Sequence, residues 1–372
     1  MEVDTVLVKV ASRCNIDCSY CYVYNMGNDS WKEMPAVISS CTIEALSNSL
    51  QQLVTSQSRV FATVLHGGEP LMLGLSKFSK LLGSLRVVLP TSYPISMQTN
   101  GMLITSDILN VCSEYKVSIS ISLDGPESVN DKFRIDKRGS GTYRQVINGI
   151  EALRKHPDSE FLFSGLLAVI DPYSCPNEIY NFFKEINTPS VDFIYRDGNH
   201  DRLPYGKESL ESTEYGVWLE SVLSLHINDS KPMRIRFLDD ILKLLLGGAS
   251  SKEGLGEELY GIVIVETDGS LTKNDTLKSV GNKADKFITL KSVHEGGLSD
   301  FFNSDEFKSY YQLQRPESRD CSSCSHLNIC GGGMPLHRWS NSKGFNNPSV
   351  YCADQKHIIS AASKFILEHR VR

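Results

Sequence analysis

Over roughly its first two hundred residues the chain alternates short β-rich runs with amphipathic stretches of helical period, and this alternation constrains the fold more than any other feature. The strand runs are Thr5–Val10, Val60–Leu65, Ile95–Gln98, Val117–Leu123, Leu162–Ile170 and Val191–Tyr195. Between them lie helical stretches at Ser40–Val54, Leu75–Val88, Ser106–Tyr115, Thr142–Lys155 and Asn177–Ile186. Repeated strand–helix units predict an α/β fold with a parallel sheet and helical crossovers. Six strands rather than eight predict an incomplete, (β/α)6-type barrel. Parallel α/β folds gather their chemistry at the C-terminal ends of the strands. Four short motifs fall there: Cys14 after the first strand, Gly67-Gly68-Glu69-Pro70 after the second, Thr99-Asn100-Gly101 after the third and Asp124-Gly125-Pro126 after the fourth.

After Tyr195 the pattern changes. Asp197–Lys207 is polar and turn-rich, Ser212–Ile227 and Arg236–Leu246 read as helices, and the Gly/Ser stretch Gly247–Gly256 reads as a flexible connection. Ile262–Thr267 followed by Asp268-Gly269 reads as a strand and hairpin turn. Arg319–Asp354 is rich in Cys, Gly, Pro, Asn and Ser, too poor in apolar periodicity for a core of its own, and calls for a metal staple. The expected organisation is a barrel core over 1–210, a helical bridge over 211–256 and a C-terminal domain over 257–372.

A net charge of −6 is unlike the basic stripe of a nucleic-acid binder. No apolar run approaches the roughly 18–20 residues that cross a bilayer, and Met1-Glu2-Val3-Asp4 is no signal sequence. The expectation is a cytoplasmic protein with neither nucleic-acid nor membrane partners. Ten cysteines in a reducing compartment point to metal ligation or catalysis rather than disulfides. Cys41 and Cys112, in helical stretches, read as small buried hydrophobes, and Cys175 stands apart.

Cys14, Cys18 and Cys21 have the spacing C-x3-C-x2-C. Three thiolates on one loop suit three irons of a cubane cluster and leave a fourth iron open. Zinc is the alternative, although structural zinc takes four ligands and no fourth Cys or His follows nearby. This pattern, with an aromatic residue before the last cysteine, resembles the signature of the radical S-adenosylmethionine (SAM) superfamily. The resemblance implies that SAM chelates the open iron and is cleaved to a 5′-deoxyadenosyl radical. It further implies that Gly67, Gly68 and Glu69 receive the SAM ammonium and that Thr99 and Asn100 form the ribose turn. Ser122 would make a polar contact, Arg134 would pair with the carboxylate and Tyr20 would lie against the adenine. On composition alone, Arg134 reads instead as part of a solvated charge run, Lys132–Arg138.

Cys321, Cys324, Cys330 and Cys352, with Gly331-Gly332-Gly333 between, resemble the end of a SPASM domain, the auxiliary-cluster module of peptide-modifying radical SAM enzymes. The complete module carries two clusters on seven cysteines. Here the position four residues beyond Cys330 is Met334, and Lys273, Asn274 and Asp275 stand where further ligands are expected. The resemblance therefore implies one auxiliary [4Fe-4S] cluster, ligated by the four cysteines, with a four-cysteine zinc knuckle as the alternative.

Glu266-Thr267-Asp268-Gly269, Asp275-x-Leu277-Lys278-Ser279, His337-Arg338 and Gly344-Phe345-x-Asn347-Pro348-Ser349-Val350-Tyr351-Cys352 are similar to the cyclophane-forming peptide maturases of the FxsB and GrrM type. That likeness implies abstraction of a β-hydrogen from a precursor peptide, a carbon–carbon crosslink to an aromatic ring, and an external flavodoxin- or ferredoxin-type electron donor. Asp275 is the expected general base. With the first strand at residue 5 there is no room for an N-terminal leader-recognition domain, so the precursor and its leader would be met elsewhere. Formylglycine formation of the sulfatase-maturating type is the alternative activity, and a noncatalytic iron–sulfur or zinc protein leaves the Glu69 and Arg134 motifs unexplained.

Overall fold

The computed structural model describes residues 2–281 and 284–370. Its strands are β1 (Thr5–Ala11), β2 (Ala62–Gly67), β3 (Ile95–Thr99), β4 (Val117–Ser122), β5 (Phe163–Val169), β6 (Val191–Ile194), β7 (Ile262–Val265) and β8 (Leu271–Thr272). The chain divides into two compact units. The first comprises Met1–Leu123, Asn130–Gly165 and Tyr260–Tyr311; the second comprises Asp124–Val129, Leu166–Leu259 and Gln312–Arg372.

In the first unit the strand order is β4-β3-β2-β1-β7-β8. All neighbours are parallel except β8, which returns antiparallel on β7. The six β-rich runs of the first two hundred residues are all strands, and the expected parallel α/β architecture is present. The place of β7 against β1 was not foreseen. Only local periodicity is visible in a sequence, whereas Thr5 pairs with Ile262 across most of the chain.

Register explains where the polar chemistry lies. Val8, Leu65, Met97 and Ile119 occupy equivalent positions on β1 to β4 and are all buried. One residue further on, side chains point to the opposite face. There β1 offers Lys9, paired with His66 of β2, while β3 and β4 pair Gln98 with Ser120. On the other side of β1, Val8 pairs with Val265, so the next residue, Glu266, falls beside Lys9. A polar row thus crosses one face of the sheet at its C-terminal end. The crossover helices bury apolar stripes, such as Leu46, Leu50 and Leu53 of Ser40–Ser56, each worth about 1.5–3 kcal/mol of transfer free energy. Ser39 caps that helix by accepting from the Thr42 amide at 3.0 Å. Cys112, on helix Ser106–Glu114, is buried as expected, but Cys41 is exposed, because it falls on the outer side of helix Ser40–Ser56.

In the second unit β5 pairs in parallel with β6. Helix Glu214–Ile227 approaches helix Cys352–Arg370 closely at Gly216, where a Cβ would meet the Asp354 carbonyl oxygen at 2.9 Å. The Gly216 amide donates to Asp354 Oδ1 at 2.9 Å. The 247–256 stretch is not a free connection. Leu255 is buried, and the Gly256 amide donates to the Ile329 carbonyl at 2.9 Å. Its glycines serve close packing: a Cβ on Gly331 would stand 2.5 Å from Gly256 O. The cysteine-rich segment also contributes more apolar surface than its composition suggests, with Ile329, Leu336, Val350 and Tyr351 buried.

Candidate active site

The loop after β1 is pinned to the turn after β2 by main-chain bonds. The Gly68 amide donates to Ala11 O at 2.8 Å and the Glu69 amide to Arg13 O at 3.0 Å. A Cβ on Gly67 would lie 2.1 Å from Ala11 O; one on Gly68 would lie 2.0 Å from Tyr24 Oη and 2.4 Å from Arg13 O. Both glycines are therefore demanded by contact with the cysteine loop, before any ligand is considered. The far side of that loop is held by the Asp17 and Ser19 amides, which donate to Ile135 O and Phe133 O.

Cys14 and Cys18 are buried and Cys21 half-buried, packed with Ile16, Tyr20, Tyr24 and Met102. Burial pushes the Cys14 thiol up to about 12, with Glu69, Cys18 and Cys21 adding to the rise. Cys21 is pushed up to about 11, by burial and then by Cys18 and Asp275. Unligated, these are inert thiols; a metal centre is what deprotonates such a set.

Glu69 is fully buried, and burial raises its pKa against the bonds it accepts. Its Oε1 accepts from the Leu71 amide at 3.0 Å and Thr99 Oγ1 at 2.7 Å; Oε2 accepts from the Asn100 amide at 2.7 Å. The motifs after β2 and β3 are thus one bonded assembly, with acceptor capacity left on Oε2. Asn100 Nδ2 reaches Asn15 Oδ1 at 2.7 Å and Cys14 Sγ at 3.8 Å, which ties the assembly to the thiols. Ser122 Oγ accepts from Gln98 Nε2 at 2.8 Å. Arg134 is buried rather than part of a solvated run, and its Nη1 donates to Tyr20 Oη at 2.9 Å.

Asp275 sits in a buried ion network. Its Oδ1 lies 2.5 Å from Lys9 Nζ and 3.0 Å from Lys278 Nζ; Glu266 pairs with Lys278 and stands 3.5 Å from Lys9. Burial alone would raise the Asp275 pKa, but Lys9 and Lys278 outweigh it and hold the carboxyl well below its usual range. Oδ2 is buried with no hydrogen-bond partner among the described residues, as is Nδ1 of the neighbouring His66. Asn274 caps the turn Asp275–Val280, its side chain accepting from the Thr276 amide at 3.0 Å. Lys9, His66, Glu266, Lys278 and Gln98 were not singled out as site residues from sequence. The available signal was a lysine inside the apolar strand Thr5–Ala11, where an unpaired charge is not tolerated.

In the second unit, Ser318 caps the turn carrying Cys321, accepting from its amide at 3.3 Å, and the Cys324 amide donates to Cys321 O. The chain then reverses through Gly331, Gly332 and Gly333, all at positive φ (64°, 84° and 70°). Cys352 starts helix Cys352–Arg370, from which Gln355 Oε1 accepts from Cys330 Sγ at 2.7 Å. Cys330 is pushed up to about 12, by burial and then by charge on Cys352, Cys321 and Cys324, so the four thiols form one electrostatic set. Among the described residues no three His, Cys, Asp or Glu side chains converge as ligands of a single metal ion, and no helix is long and apolar enough to cross a membrane.

Residues 8–170 match the profile of the Radical SAM superfamily. The chain is 31% identical to a serine-type anaerobic sulfatase-maturating enzyme of Klebsiella aerogenes, over 89% of this chain and 80% of that one. It is 26% identical to a cysteine-type anaerobic sulfatase-maturating enzyme of Clostridium perfringens, over 96% of each. The solved structure of native anSMEcpe with bound AdoMet and the Cp18Cys peptide shares the fold, with a TM-score of 0.84, 23% identity and 99% of each chain covered.

Proposed function

This chain belongs to the radical SAM superfamily, and from that premise we propose that it oxidises a residue of a peptide substrate by taking a hydrogen atom from its β-carbon. The observation that carries this reading is the bonded assembly of Glu69, Thr99 and Asn100 against Cys14, with Arg134 and Tyr20 paired beside it. The residues fit the groups the family uses. Three neighbouring thiols would hold a cluster with one open iron, the free capacity of Glu69 Oε2 suits an ammonium, and the Arg134 guanidinium suits a carboxylate. When bound, SAM and that cluster supply the hydrogen-abstracting 5′-deoxyadenosyl radical. Cys321, Cys324, Cys330 and Cys352 would hold a second cluster, which has no open iron and is suited to receiving an electron.

Asp275 is the proton acceptor in this proposal. Its pKa is low for a general base at neutral pH. A substrate that has lost a hydrogen atom and an electron is a strong acid, however, so an ionised carboxylate with a free oxygen suffices. Lys9 and Lys278, both on Oδ1, keep the carboxylate ionised and leave Oδ2 open.

The likeness to sulfatase-maturating enzymes over 89% and 96% of this chain supports formylglycine formation at a Cys or Ser. A specific observation keeps a carbon–carbon crosslink as the second reading. Lys273, Asn274 and Asp275, none of them a thiol, fall where the SPASM resemblance implies further ligands, and Asn274 and Asp275 there make a turn cap and an ion network. Anaerobic incubation with SAM, reductant and either a sulfatase-type peptide or a precursor encoded beside the gene tests both. Formylglycine reacts with a hydrazide; a crosslink loses two hydrogens, resists hydrazide and fragments as a ring. Neither product, in spite of 5′-deoxyadenosine release, overturns the proposal.

A further inference from the structure

Arg338 closes the turn Pro335–Arg338, just beyond the Gly331–Gly333 reversal. It is 1% exposed and heads the fully buried side chains by volume. Nη1 donates to Arg315 O at 3.1 Å, and Nη2 donates to Leu313 O at 2.6 Å and Gln314 O at 3.2 Å. Nε is buried with no hydrogen-bond partner, and no carboxylate among the described residues forms an ion pair with it. Burial lowers its pKa to about 10, which leaves it cationic at neutral pH; the groups whose charge it feels are Cys321, Glu317 and Cys330. Glu317 is exposed and screened by solvent. A buried cation with neutral partners costs several kcal/mol unless an anion accompanies it.

We propose that Arg338 is the counter-cation of the cluster held by Cys321, Cys324, Cys330 and Cys352, and that its charge sets the reduction potential of that cluster. The inference rests on the cluster reading of the second cysteine set. Four thiolates around a cubane leave net negative charge, and reduction adds one more. The guanidinium grips Leu313–Arg315, the segment that leads into Ser318, whose hydroxyl holds the Cys321 amide; a cation fixed there favours the reduced state, because net charge and hydrogen bonding near the sulfurs set such potentials. The three carbonyls orient the guanidinium without neutralising it. Arg338 is thus a positioning and tuning residue for electron removal from the substrate.

The test is an EPR-monitored redox titration of the anaerobically reconstituted full chain, with iron and sulfide assayed in parallel. Arg338→Gln should keep iron at both sites and lower the equilibrium constant for reduction of the second cluster at least about tenfold, a shift of about 59 mV toward negative potential for a one-electron couple. Arg338→Lys, which keeps the charge and loses the forked bonding, should stay within about threefold of the parent. An unchanged potential in the glutamine variant, or an equal shift in both variants, overturns the inference. If the glutamine variant loads no iron at the second set, the lysine variant decides: near-parental iron and potential support the role, and failure to load there too assigns Arg338 to main-chain scaffolding. Zinc in place of iron at the second set of the parent would instead remove the cluster reading itself.

Discussion

Lys9 and Asp275 are 266 positions apart in sequence, yet Nζ and Oδ1 are 2.5 Å apart, with both side chains almost fully buried. The pair exists because β7 lies parallel to β1 and delivers Glu266 and the following turn to the lysine. Removing one member of a buried pair typically costs about 3–5 kcal/mol, so Lys9→Met should lower unfolding stability by about that amount in chemical denaturation. The pH dependence has a definite sign. Asp275 is depressed, so its contribution is complete above the ordinary carboxylate range and is lost as pH falls through its lower folded value. Lys278 is raised, so its contribution is complete below the ordinary lysine range and is lost as pH rises through its higher folded value. The parent should show a broad neutral plateau. In Lys9→Met the acid limb should move to higher pH, because one of the two cations holding Asp275 down is gone; an unmoved limb would mean that Lys278 alone sets the carboxylate.

Gly68 carries a prediction that separates backbone packing from ligand contact. A Cβ there overlaps Tyr24 Oη and Arg13 O, and only Tyr24 can swing away. Gly68→Ala should therefore displace the loop bearing Cys14, cost about 1–3 kcal/mol as an overpacked site and lose the first cluster while keeping the second. On the two-cubane reading, iron should fall from about eight to about four per chain. Full iron with impaired SAM binding would place the effect on the ligand rather than the loop.

A second buried pair lies beside the other cysteine set. Lys207 Nζ and Asp354 Oδ2 are 2.7 Å apart, both side chains fully enclosed, and Asp354 follows Cys352 by two positions. Lys207→Met should cost about 3–5 kcal/mol by stranding that carboxylate. Because Asp354 also holds the Gly216 amide, the helix that starts at Cys352 should loosen. Iron at the second set should then be lost to a chelator faster than in the parent, with the first set unaffected.

Legibility in the sequence followed the range of the interactions. The β1 to β6 runs and most crossover helices are local patterns, and the cysteine sets and strand-end motifs are local spacings. Lys9 next to Glu266 and Asp275 is a product of register between distant strands, so composition could report only an odd lysine in an apolar run. Gly256 looked like part of a linker because its contact, the Ile329 carbonyl, lies far along the chain. Helix Cys352–Arg370 was not singled out from sequence; its first three residues close the cysteine segment Arg319–Asp354, and the other sixteen run on beyond it. Tyr20 was read as an aromatic face, whereas its hydroxyl bonded to Arg134 gives it a polar role as well.

That hydroxyl sharpens the test of the SAM site. Arg134 is buried, bonded through Nη1 to Tyr20, and its main-chain carbonyl accepts from Thr142 Oγ1 at 2.8 Å, so the guanidinium is placed by its own fold before any ligand arrives. Losing one partner of a buried charge pair costs about 2–5 kcal/mol. Arg134→Ala should therefore weaken SAM binding by about 30-fold or more, measured by equilibrium dialysis on iron-loaded protein. Tyr20→Phe removes only an orienting hydrogen bond, worth about 1.5–3 kcal/mol when one partner is charged; since the guanidinium remains, the loss should be smaller than in Arg134→Ala. Iron should be unchanged in both, because no thiol is touched. Equal losses in the two variants would mean that the hydroxyl itself contacts SAM, and parental affinity in Arg134→Ala would remove the guanidinium from the site.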